Sequence, residues 1–494
     1  MNNPLVLVPI FVPLGSAALA VLFSGQVRIQ RMIGLFAALS AWLASGGVLY
    51  ANWIGGVQTY HLGGWQPPFG IVLAPDLLSA MLEVMATTVV LAGMIYILGC
   101  KDKCVQLPAF VPLFLCMAAG LNGAFYTGDI FTLFVFQELM VISSVVLVGI
   151  SDNRLGVEAA IKYLLISSMG SLFLLIGIAA IYATFGTLTL ADIARMLEGG
   201  DRPLLAQAAA VMLMCAFLMK SAVFPFHFWQ PDFHTAAPTP VHAVLSSVVV
   251  KVGVYGLMRL TLLLFTVEAP LVRGLLIVLG IIGVYFGSLA ALRTYDAKRM
   301  LAYSTFGQIG FILIGIGWGT PLALIGAIVY TINHAFIKSS LLMITGAISS
   351  RMPNKSARLT DIAGAGKTLG ALGVLYFLGG LALAGVPPLN GFISKLALVR
   401  GGLQAESWVV LGLAVGAGVI TLLYMMRTWQ HIFQKQPSPE LHLKPYGDSL
   451  VAPALLVGVC VFLGLYAVPL VTLATEAVNR LGNPELYIRG VLGG

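Results

Sequence analysis

Residues 217–240 read FLMKSAVFPFHFWQPDFHTAAPTP, and this stretch decides how the chain around it folds. Lys220 closes the apolar run VMLMCAFLM (211–219), and four prolines follow it within the stretch. Proline cannot continue an α-helix, because it lacks the N–H group and its ring clashes with the preceding turn. The stretch therefore predicts an apolar helix that carries an ammonium group and breaks directly beside it.

The composition of the whole chain indicates an integral membrane protein. Its 494 residues are 59% hydrophobic and only 9% charged, whereas about a quarter of the residues of a soluble domain are charged. The N-terminal MNNPLVLVPIF has no basic region, so we interpret it as a first span and not as a cleaved signal peptide. The net charge of +8 is scattered over short loops, which excludes a nucleic-acid-binding surface.

The hydropathy pattern predicts about fourteen membrane-spanning helices and no soluble domain. Their centres lie near residues 14, 43, 88, 115, 140, 172, 212, 250, 281, 309, 335, 381, 420 and 461. With the N-terminus outside, the inner loops carry roughly twice as many lysines and arginines as the outer loops, as the positive-inside rule requires. We therefore expect a multi-pass protein of the cell membrane with both termini outside.

The informative residues are the ionisable ones inside the spans, because a charge at the bilayer centre costs about 2.5–3.5 kcal/mol on insertion scales. These residues are Glu138, Lys162, Lys220, Lys251, Arg259, His334, Lys338, Lys395 and Arg427. Glu138 is interpreted as the only clear carboxylate at mid-membrane depth. Each residue has a structural alternative, since Lys162 and Arg259 could sit at helix ends and Glu138 could be a hydrogen-bonding partner. As a set over five or more helices, they indicate a proton or ion path.

The prolines predict an internal duplication. Pro225 follows Lys220 by five residues, and Pro387 and Pro388 precede Lys395. Transporters build sites from such discontinuous helices, because an interrupted backbone is tolerated where it lines a hydrated cavity. Two broken, lysine-bearing spans about five helices apart predict two five-helix repeats that are inverted, since five is odd. The predicted units are three N-terminal helices (1–100), the first repeat (101–263), the second repeat (264–433) and a C-terminal helix (434–494).

Glu138 gives Lys220 a reason to change its charge. Burial disfavours the charged form of a lysine, and a nearby carboxylate favours it. If Glu138 approaches and withdraws, Lys220 switches between its charged and neutral forms. We expect this pair to be a pump element.

Four stretches, in addition to the opening one, resemble a known family. They are YTGDIFTLFVFQELMVISS (126–144), DAKRMLAYSTFGQIGFILIGIG (296–317), NHAFIKSSLLMITGAI (333–348) and AGVPPLNGFISKLAL (384–398). Over residues 60–433 the chain resembles the antiporter-like subunits of Mrp-type cation/proton antiporters, respiratory complex I and membrane-bound hydrogenases. The resemblance implies an all-α fold of fourteen helices with two inverted five-helix repeats, in which helices 7 and 12 are broken.

The resemblance also implies which residues form the proton path. They are Glu138 and Lys220 as an acid–base pair, Lys251 on the central axis, His334 and Lys338 on helix 11, Lys395 at the outer end, and His227 in a P-x-H-x-W motif. Gln308 departs from some family members, which have a histidine there. Glutamine cannot take up a proton, so a relay through this position would need water.

Within the family, GGWQPPFGIVLAPDLLSAML (63–82) and the length of the chain are most similar to the D subunits of Mrp antiporters. This implies a proton-translocating subunit of a multi-subunit sodium/proton antiporter, with other membrane subunits as partners and no redox site of its own. The lysine-rich axis suits protons better than sodium, which we place elsewhere in the complex. The alternative is a proton-pumping subunit of a redox-driven complex.

Two other functional classes fit the sequence less well. A metalloenzyme or haem protein would use His227, His234, His242 and His334, but no pair among them has a helical ligand spacing. Cys100 and Cys104 bracket the loop CKDKC, yet further ligands for a metal or redox pair are missing. A purely structural subunit would not carry several charges at membrane depth. We therefore predict no metal and no cofactor.

Overall fold

The structure, a computed structural model, describes residues 2–198, 203–437, 443–444 and 446–493. The described residues are almost entirely helical. A single small antiparallel sheet pairs β1 (Tyr60–His61) with β2 (Val72–Leu73), with Tyr60 opposite Leu73.

The helices of the first half of the chain carry the first broken span. They are α1 (Val8–Leu22), α2 (Val27–Gly55), α3 (Leu77–Gly99), α4 (Phe110–Tyr126), α5 (Ile130–Gly149), α6 (Arg154–Phe185), α7 (Leu190–Glu198), α8 (Leu204–Lys220), α9 (Trp229–Ala236), α10 (Thr239–Val244) and α11 (Val250–Arg259). Short 3-10 helices lie at Pro4–Leu7, Leu62–Gly64 and Lys103–Gln106.

The second half carries the second broken span. Its helices are α12 (Ala269–Arg293), α13 (Ala297–Trp318), α14 (Pro321–Arg351), α15 (Gly370–Ala384), α16 (Asn390–Gln404), α17 (Trp408–Trp429), α18 (Val451–Leu465), α19 (Val468–Leu481) and α20 (Pro484–Leu492). A 3-10 turn lies at Ala365–Lys367, and a π-helical segment lies at Gln430–Gln434. Two further π-helical segments, Leu245–Val249 and Leu260–Leu264, lie on either side of α11.

Ten helices in the described residues are long and apolar enough to cross a membrane. The pair α18 and α19, bent by 76°, forms an eleventh candidate, and α4, α8 and α15 are shorter apolar helices. Each predicted span centre falls within one of these helices. The prediction of an all-α, multi-pass membrane fold is therefore confirmed, whereas the number fourteen, the inverted repeats and the unit boundaries stay predictions.

Both expected helix breaks are present. The first broken span ends at Lys220 and resumes at Trp229, and Ala222 in the connecting turn has a φ of +53°. The second ends at Ala384, passes through Gly385 with a φ of +83° and resumes at Asn390. The two lysines lie on opposite sides of their breaks, because Lys220 ends the first half-helix and Lys395 lies in the second turn of α16.

The loops gather at two ends of the helix bundle. At one end, which we call the basic end (loops 100–109, 294–296, 352–369, 435–437, 443–444 and 446–450), Lys355 Nζ lies 3.0 Å from Asp102 Oδ1, and the Lys444 N–H donates to the Arg351 carbonyl at 2.8 Å. At the opposite end (loops 56–76, 127–129, 186–189 and 482–483), the Ile130 N–H donates to the Leu188 carbonyl at 2.9 Å. The loops predicted to lie inside thus contact one another.

The centre of the bundle is formed by the most deeply buried spans. The span Thr239–Leu264, which contains α10 and α11, is buried along its length, and α13 and α14 are almost as buried. By contrast, α2, α6, α12 and α17 expose large apolar side chains. The polar residues of α11 and α14 are therefore enclosed by protein and do not face lipid.

Arg259 joins α11 to α3. Its guanidinium makes two hydrogen bonds of 2.7 Å to the Asp76 carboxylate and one of 2.8 Å to Ser79 Oγ. Tyr255 Oη lies 3.1 Å from Ser79 Oγ and receives a hydrogen bond from Arg259 Nε. A position at a helix end does not by itself explain Arg259, because the residue is buried in a bidentate ion pair. Lys162 fits that alternative better, since its side chain is 41% exposed and pairs with Glu158 and Asp232.

The loop clusters predict the outcome of surface labelling. Asn354 lies exposed at the basic end and Asn483 lies exposed at the opposite end. In intact cells, and in a chain whose five native cysteines are replaced, a membrane-impermeant thiol reagent should label Asn483→Cys and spare Asn354→Cys until the membrane is opened. The reverse pattern would overturn the predicted orientation of the helices.

The ion pair of Arg259 predicts a stability effect. Arg259→Ala leaves the Asp76 carboxylate buried without its partner, which typically costs about 3–5 kcal/mol. The thermal unfolding midpoint of the purified protein should therefore fall strongly. The double variant Arg259→Met with Asp76→Leu removes both charges and should unfold at a higher temperature than the single variant. A double variant no more stable than Arg259→Ala would argue against an ion-pair role.

Candidate functional site

Glu138 and Lys220 form an acid–base pair between three helices. Lys220 Nζ lies 3.3 Å from Glu138 Oε1, and it donates to Ser171 Oγ at 2.8 Å and to Ser167 Oγ at 3.2 Å. The Ser171 hydroxyl donates in turn to Glu138. The Lys220 side chain is 6% exposed and that of Glu138 is 27% exposed. The structure thus brings together the two residues that the sequence predicted as a pair.

Two serines on α6, Ser167 and Ser171, supply the hydroxyls that contact Lys220. Gly170 lies between them, and a Cβ at this position would lie 3.5 Å from the Lys220 side chain and from Met219, which is ordinary van der Waals contact. One face of α6 therefore provides two hydrogen-bond acceptors for the ammonium group.

A small cavity leads from Lys220 toward α11. It measures about 10 Å³ and is lined by Gln137, Ser167, Lys220, Trp229, Val249 and Val252 among others, which is close to the smallest space that holds one water molecule. Within the described part of the chain, the buried Gln137 amide has no hydrogen-bond partner. Buried polar groups are normally satisfied by protein or ordered water. The cavity therefore has room for about one water molecule between Lys220 and the helix that carries Lys251.

Lys251, His334 and Lys338 form the centre of the site, which we call the basic centre. Lys251 Nζ donates to the Ser246 carbonyl at 3.3 Å, and Lys338 Nζ donates to Ser304 Oγ at 2.8 Å. His334 is buried within electrostatic reach of both lysines. Like charges repel one another in a buried site. A proton on one member therefore disfavours a proton on the next, which is the coupling that a relay needs.

A chain of neutral polar groups extends from Lys338 across α13, α14 and α17. Ser304, which accepts from Lys338, lies 2.7 Å from the Tyr424 hydroxyl. Gln308 Nε2 lies 3.5 Å from the same hydroxyl, and the Gln308 carbonyl accepts from Tyr330. Gln308, which replaces a histidine found in some family members, thus keeps hydrogen-bond continuity without taking up a proton.

Lys395 occupies a different environment from Lys220. Its ammonium group donates to the Ala384 carbonyl at 2.6 Å, at the C-terminal end of α15, where the helix dipole favours a positive charge. It also lies 5.6 Å from the centre of the Phe311 ring. Among the described residues, no carboxylate lies within ion-pair distance of Lys395. A cavity of about 360 Å³ extends from Lys395 to Trp318 and Leu411.

His227 lies apart from the other predicted site residues. Its ring stacks on Phe306 with centroids 4.6 Å apart, and it packs against Phe224 and Phe286 at 5.5 and 4.6 Å. The residue is half-buried in this aromatic cluster, near the break of the first span. The geometry supports a packing role more directly than a place on the proton path.

The side-chain positions show whether the histidines and cysteines lie close enough together to bind a metal ion. His234 and His242 stack with centroids 5.2 Å apart. Throughout the described ranges, no three His, Cys, Asp or Glu residues are grouped so that they could hold a metal ion. Cys100 and Cys104 are free thiols.

The interpretation of Glu138 as the only mid-membrane carboxylate was wrong. Glu83 lies within α3, is fully buried and has no hydrogen-bond partner among the described residues. The signal was available, since Glu83 interrupts the apolar run LLSAMLEVMATTVVLAG (77–93). Asp76, the partner of Arg259, was also missed, because a sequence does not show which residues meet across helices.

Comparisons with known proteins agree with this architecture. The family described as "NADH:quinone oxidoreductase/Mrp antiporter, TM" matches residues 127–421. The D subunit of the Na(+)/H(+) antiporter of Alkalihalophilus pseudofirmus is 32% identical over the full length of both chains. The N subunit of the NADH-quinone oxidoreductase of Desulforudis audaxviator is 33% identical over 94% of this chain and 95% of its own.

Two solved structures have nearly the same fold. A chain of the Mrp complex from Dietzia sp. superposes with a TM-score of 0.91 at 26% identity, covering 99% of each chain. A chain of an archaeal membrane-bound sulfane sulfur reductase superposes equally well at 28% identity, covering 99% of this chain and 100% of its own. The family match covers more than half of the chain and the full-length relatives exceed 30% identity. The chain therefore belongs to the NADH:quinone oxidoreductase/Mrp antiporter family of membrane proteins.

Proposed function

We propose that this chain is the proton-translocating subunit of a multi-subunit sodium/proton antiporter. The observation that carries the proposal is the contact of 3.3 Å between the buried Lys220 and the partly buried Glu138, at the break of a membrane helix. The relatives named as D subunits of Na(+)/H(+) antiporters and the likeness to an Mrp complex support partner subunits of the same kind.

The proposed cycle begins with Lys220 protonated beside the Glu138 carboxylate. When the carboxylate withdraws, the buried ammonium group loses its counter-charge, and the lysine gives its proton to a water in the cavity beside Gln137. The proton then passes to the basic centre, and from there along the hydroxyl and amide groups near Gln308 to Lys395. When the carboxylate returns, Lys220 takes up the next proton from the first side.

Sodium is assigned to another part of the complex. The described path consists mainly of lysines, histidine, hydroxyls and amides, and a protonated lysine repels a cation. Carboxylates and carbonyls are the usual ligands of hard cations, and the path offers few of them. The basic end is assigned to the cytoplasmic side, because its loops hold the excess of lysines and arginines.

A second candidate function is the same proton path driven by a redox enzyme. The 33% identity to the N subunit of an NADH-quinone oxidoreductase favours it, as does the likeness to the sulfane sulfur reductase chain. Both functions use the same residues in this chain. Co-purification of the subunits made with it separates them, because a redox-driven complex brings flavin, iron–sulfur or other redox-active subunits.

Substitutions at the acid–base pair test the proposed function. In the assembled complex, Glu138→Gln and Lys220→Ala should each reduce cation/proton exchange by about 10²-fold or more, the usual contribution of a positioned proton-transfer group. Lys220→Arg should fail as well, because arginine keeps its proton in proteins. Exchange is measured in vesicles as the cation-induced collapse of a pH gradient.

Lys162→Ala is the matched control, because this lysine pairs with two carboxylates at a partly exposed site. It should assemble and exchange at nearly the wild-type rate. Near-normal exchange by Lys220→Arg would mean that Lys220 is a fixed counter-charge and that the switching cycle is wrong.

The two broken spans are expected to open toward opposite faces. In a chain without its native cysteines, Lys220→Cys and Lys395→Cys are probed with a small charged thiol reagent added to one face of the membrane at a time. Lys220→Cys should react from one face and Lys395→Cys from the other. Reaction of both positions from the same face alone would remove Lys395 from the far end of the path.

A further inference from the structure

Glu83 is an acid that the proposed proton path does not yet use. It lies in the second turn of α3, its side chain is fully buried, and neither carboxyl oxygen has a hydrogen-bond partner within the described residues. An ionised carboxylate buried without donors costs several kcal/mol or more. In this arrangement the Glu83 carboxyl group is therefore more stable in its neutral form, from which it can donate a proton.

Contacts between α3 and the span Thr239–Leu264 indicate which residue of that span lies level with Glu83. Asp76 pairs with Arg259, and Ser79 meets Tyr255, so residue numbers rise along α3 as they fall along α11. Farther along, a Cβ at Gly93 would lie 3.5 Å from Val244, which continues the same antiparallel register. This register places Glu83 level with Lys251.

Helical spacing turns the two residues toward each other. Glu83 follows Ser79 by four residues, so both lie on one face of α3, and Lys251 precedes Tyr255 by four on the facing side of α11. Since Ser79 and Tyr255 touch, we place Glu83 and Lys251 one turn farther along the two helices.

Lys251 has few hydrogen-bond partners for a charged side chain among the described residues. It is fully buried, and its ammonium nitrogen makes one hydrogen bond of 3.3 Å, to the Ser246 carbonyl. A protonated lysine has three hydrogens to donate. Among the residues that the structure describes, Lys251 therefore lacks an anion to balance a charge, and Glu83 lacks a hydrogen-bond donor.

We propose that Glu83 and Lys251 form a second acid–base pair at the centre of the proton path. The Glu83 carboxyl O–H bond breaks, the proton joins the lone pair of the neutral Lys251 amine, and a carboxylate and an ammonium ion result. The reverse transfer restores two neutral groups, so no other reactant is needed. Glu138 and Lys220 are in contact, whereas Glu83 makes no hydrogen bond to Lys251 among the described residues.

This inference rests on the proposed function, because it assigns Glu83 a step in the same transport. The experiment uses the assembled complex in vesicles and compares wild type, Glu83→Gln, Glu83→Asp, Glu138→Gln and a matched surface control, Glu485→Gln. Glu485 is a carboxylate paired with Arg489 on α20, at the periphery. Exchange should fall by about 10²-fold in Glu83→Gln, remain substantial in Glu83→Asp and stay unchanged in Glu485→Gln.

A spectroscopic measurement separates proton transfer from a purely structural role. Infrared difference spectra are recorded on the complex with and without the exchanged cation. Wild type should show a protonated carboxyl band that changes on cation addition, shifts in Glu83→Asp and is missing in Glu83→Gln. In Lys251→Met the band should be present without changing, because the acceptor amine is gone.

The outcomes discriminate between the two proposals. If wild type exchanges, Glu138→Gln fails and Glu83→Gln exchanges normally, the inference about Glu83 is wrong and the proposed function stands. If wild type does not exchange cations for protons, the proposed function itself fails. Should Glu83→Gln not assemble, the spectra of wild type, Glu83→Asp and Lys251→Met still decide, and a spectrum without any band assigned to Glu83 overturns the pair.

Discussion

The high free-energy cost of a charge inside a bilayer governs this structure. The chain places its ionisable side chains on helices that the other spans surround, so that Lys251, His334 and Lys338 contact protein on every side. The apolar faces of the outer helices then meet lipid or partner subunits. The fold can thus be understood as a shell of apolar helices around a small set of basic groups. Each lysine of the proposed path among them contacts a backbone carbonyl, a hydroxyl or a carboxylate.

Much of this arrangement could be predicted from the sequence, because hydropathy and proline act locally. The spans, the two helix breaks and the pairing of Glu138 with Lys220 followed from runs of apolar residues, from Pro225 and Pro387, and from family resemblance. The partner of Arg259 could not be predicted, since Asp76 lies far away in the chain and meets it through helix packing. Glu83 was overlooked for a related reason, because its importance depends on which residue faces it.

The two ends of the proposed path differ in a way that the sequence does not reveal. Lys220 has a carboxylate partner that can move, whereas Lys395 is held by the carbonyl of Ala384 at a helix end. A carboxylate on a side chain can be withdrawn by rotation, but a backbone carbonyl moves only with its helix. The first end therefore suits switching by a neighbouring group, and the second suits switching by a shift of the half-helices.

The π-helical segments on both sides of α11 have a mechanical consequence. A π-turn holds one residue more than an α-turn, and relocating it along a helix rotates the intervening segment by about 100° per residue. The segment between Leu245–Val249 and Leu260–Leu264 is only ten residues long, and Arg259 fastens one end of it to α3. The end that carries Lys251 is therefore the end that such a rotation would move. A shift of either π-turn would turn the Lys251 side chain about the helix axis while Arg259 stays bound to α3.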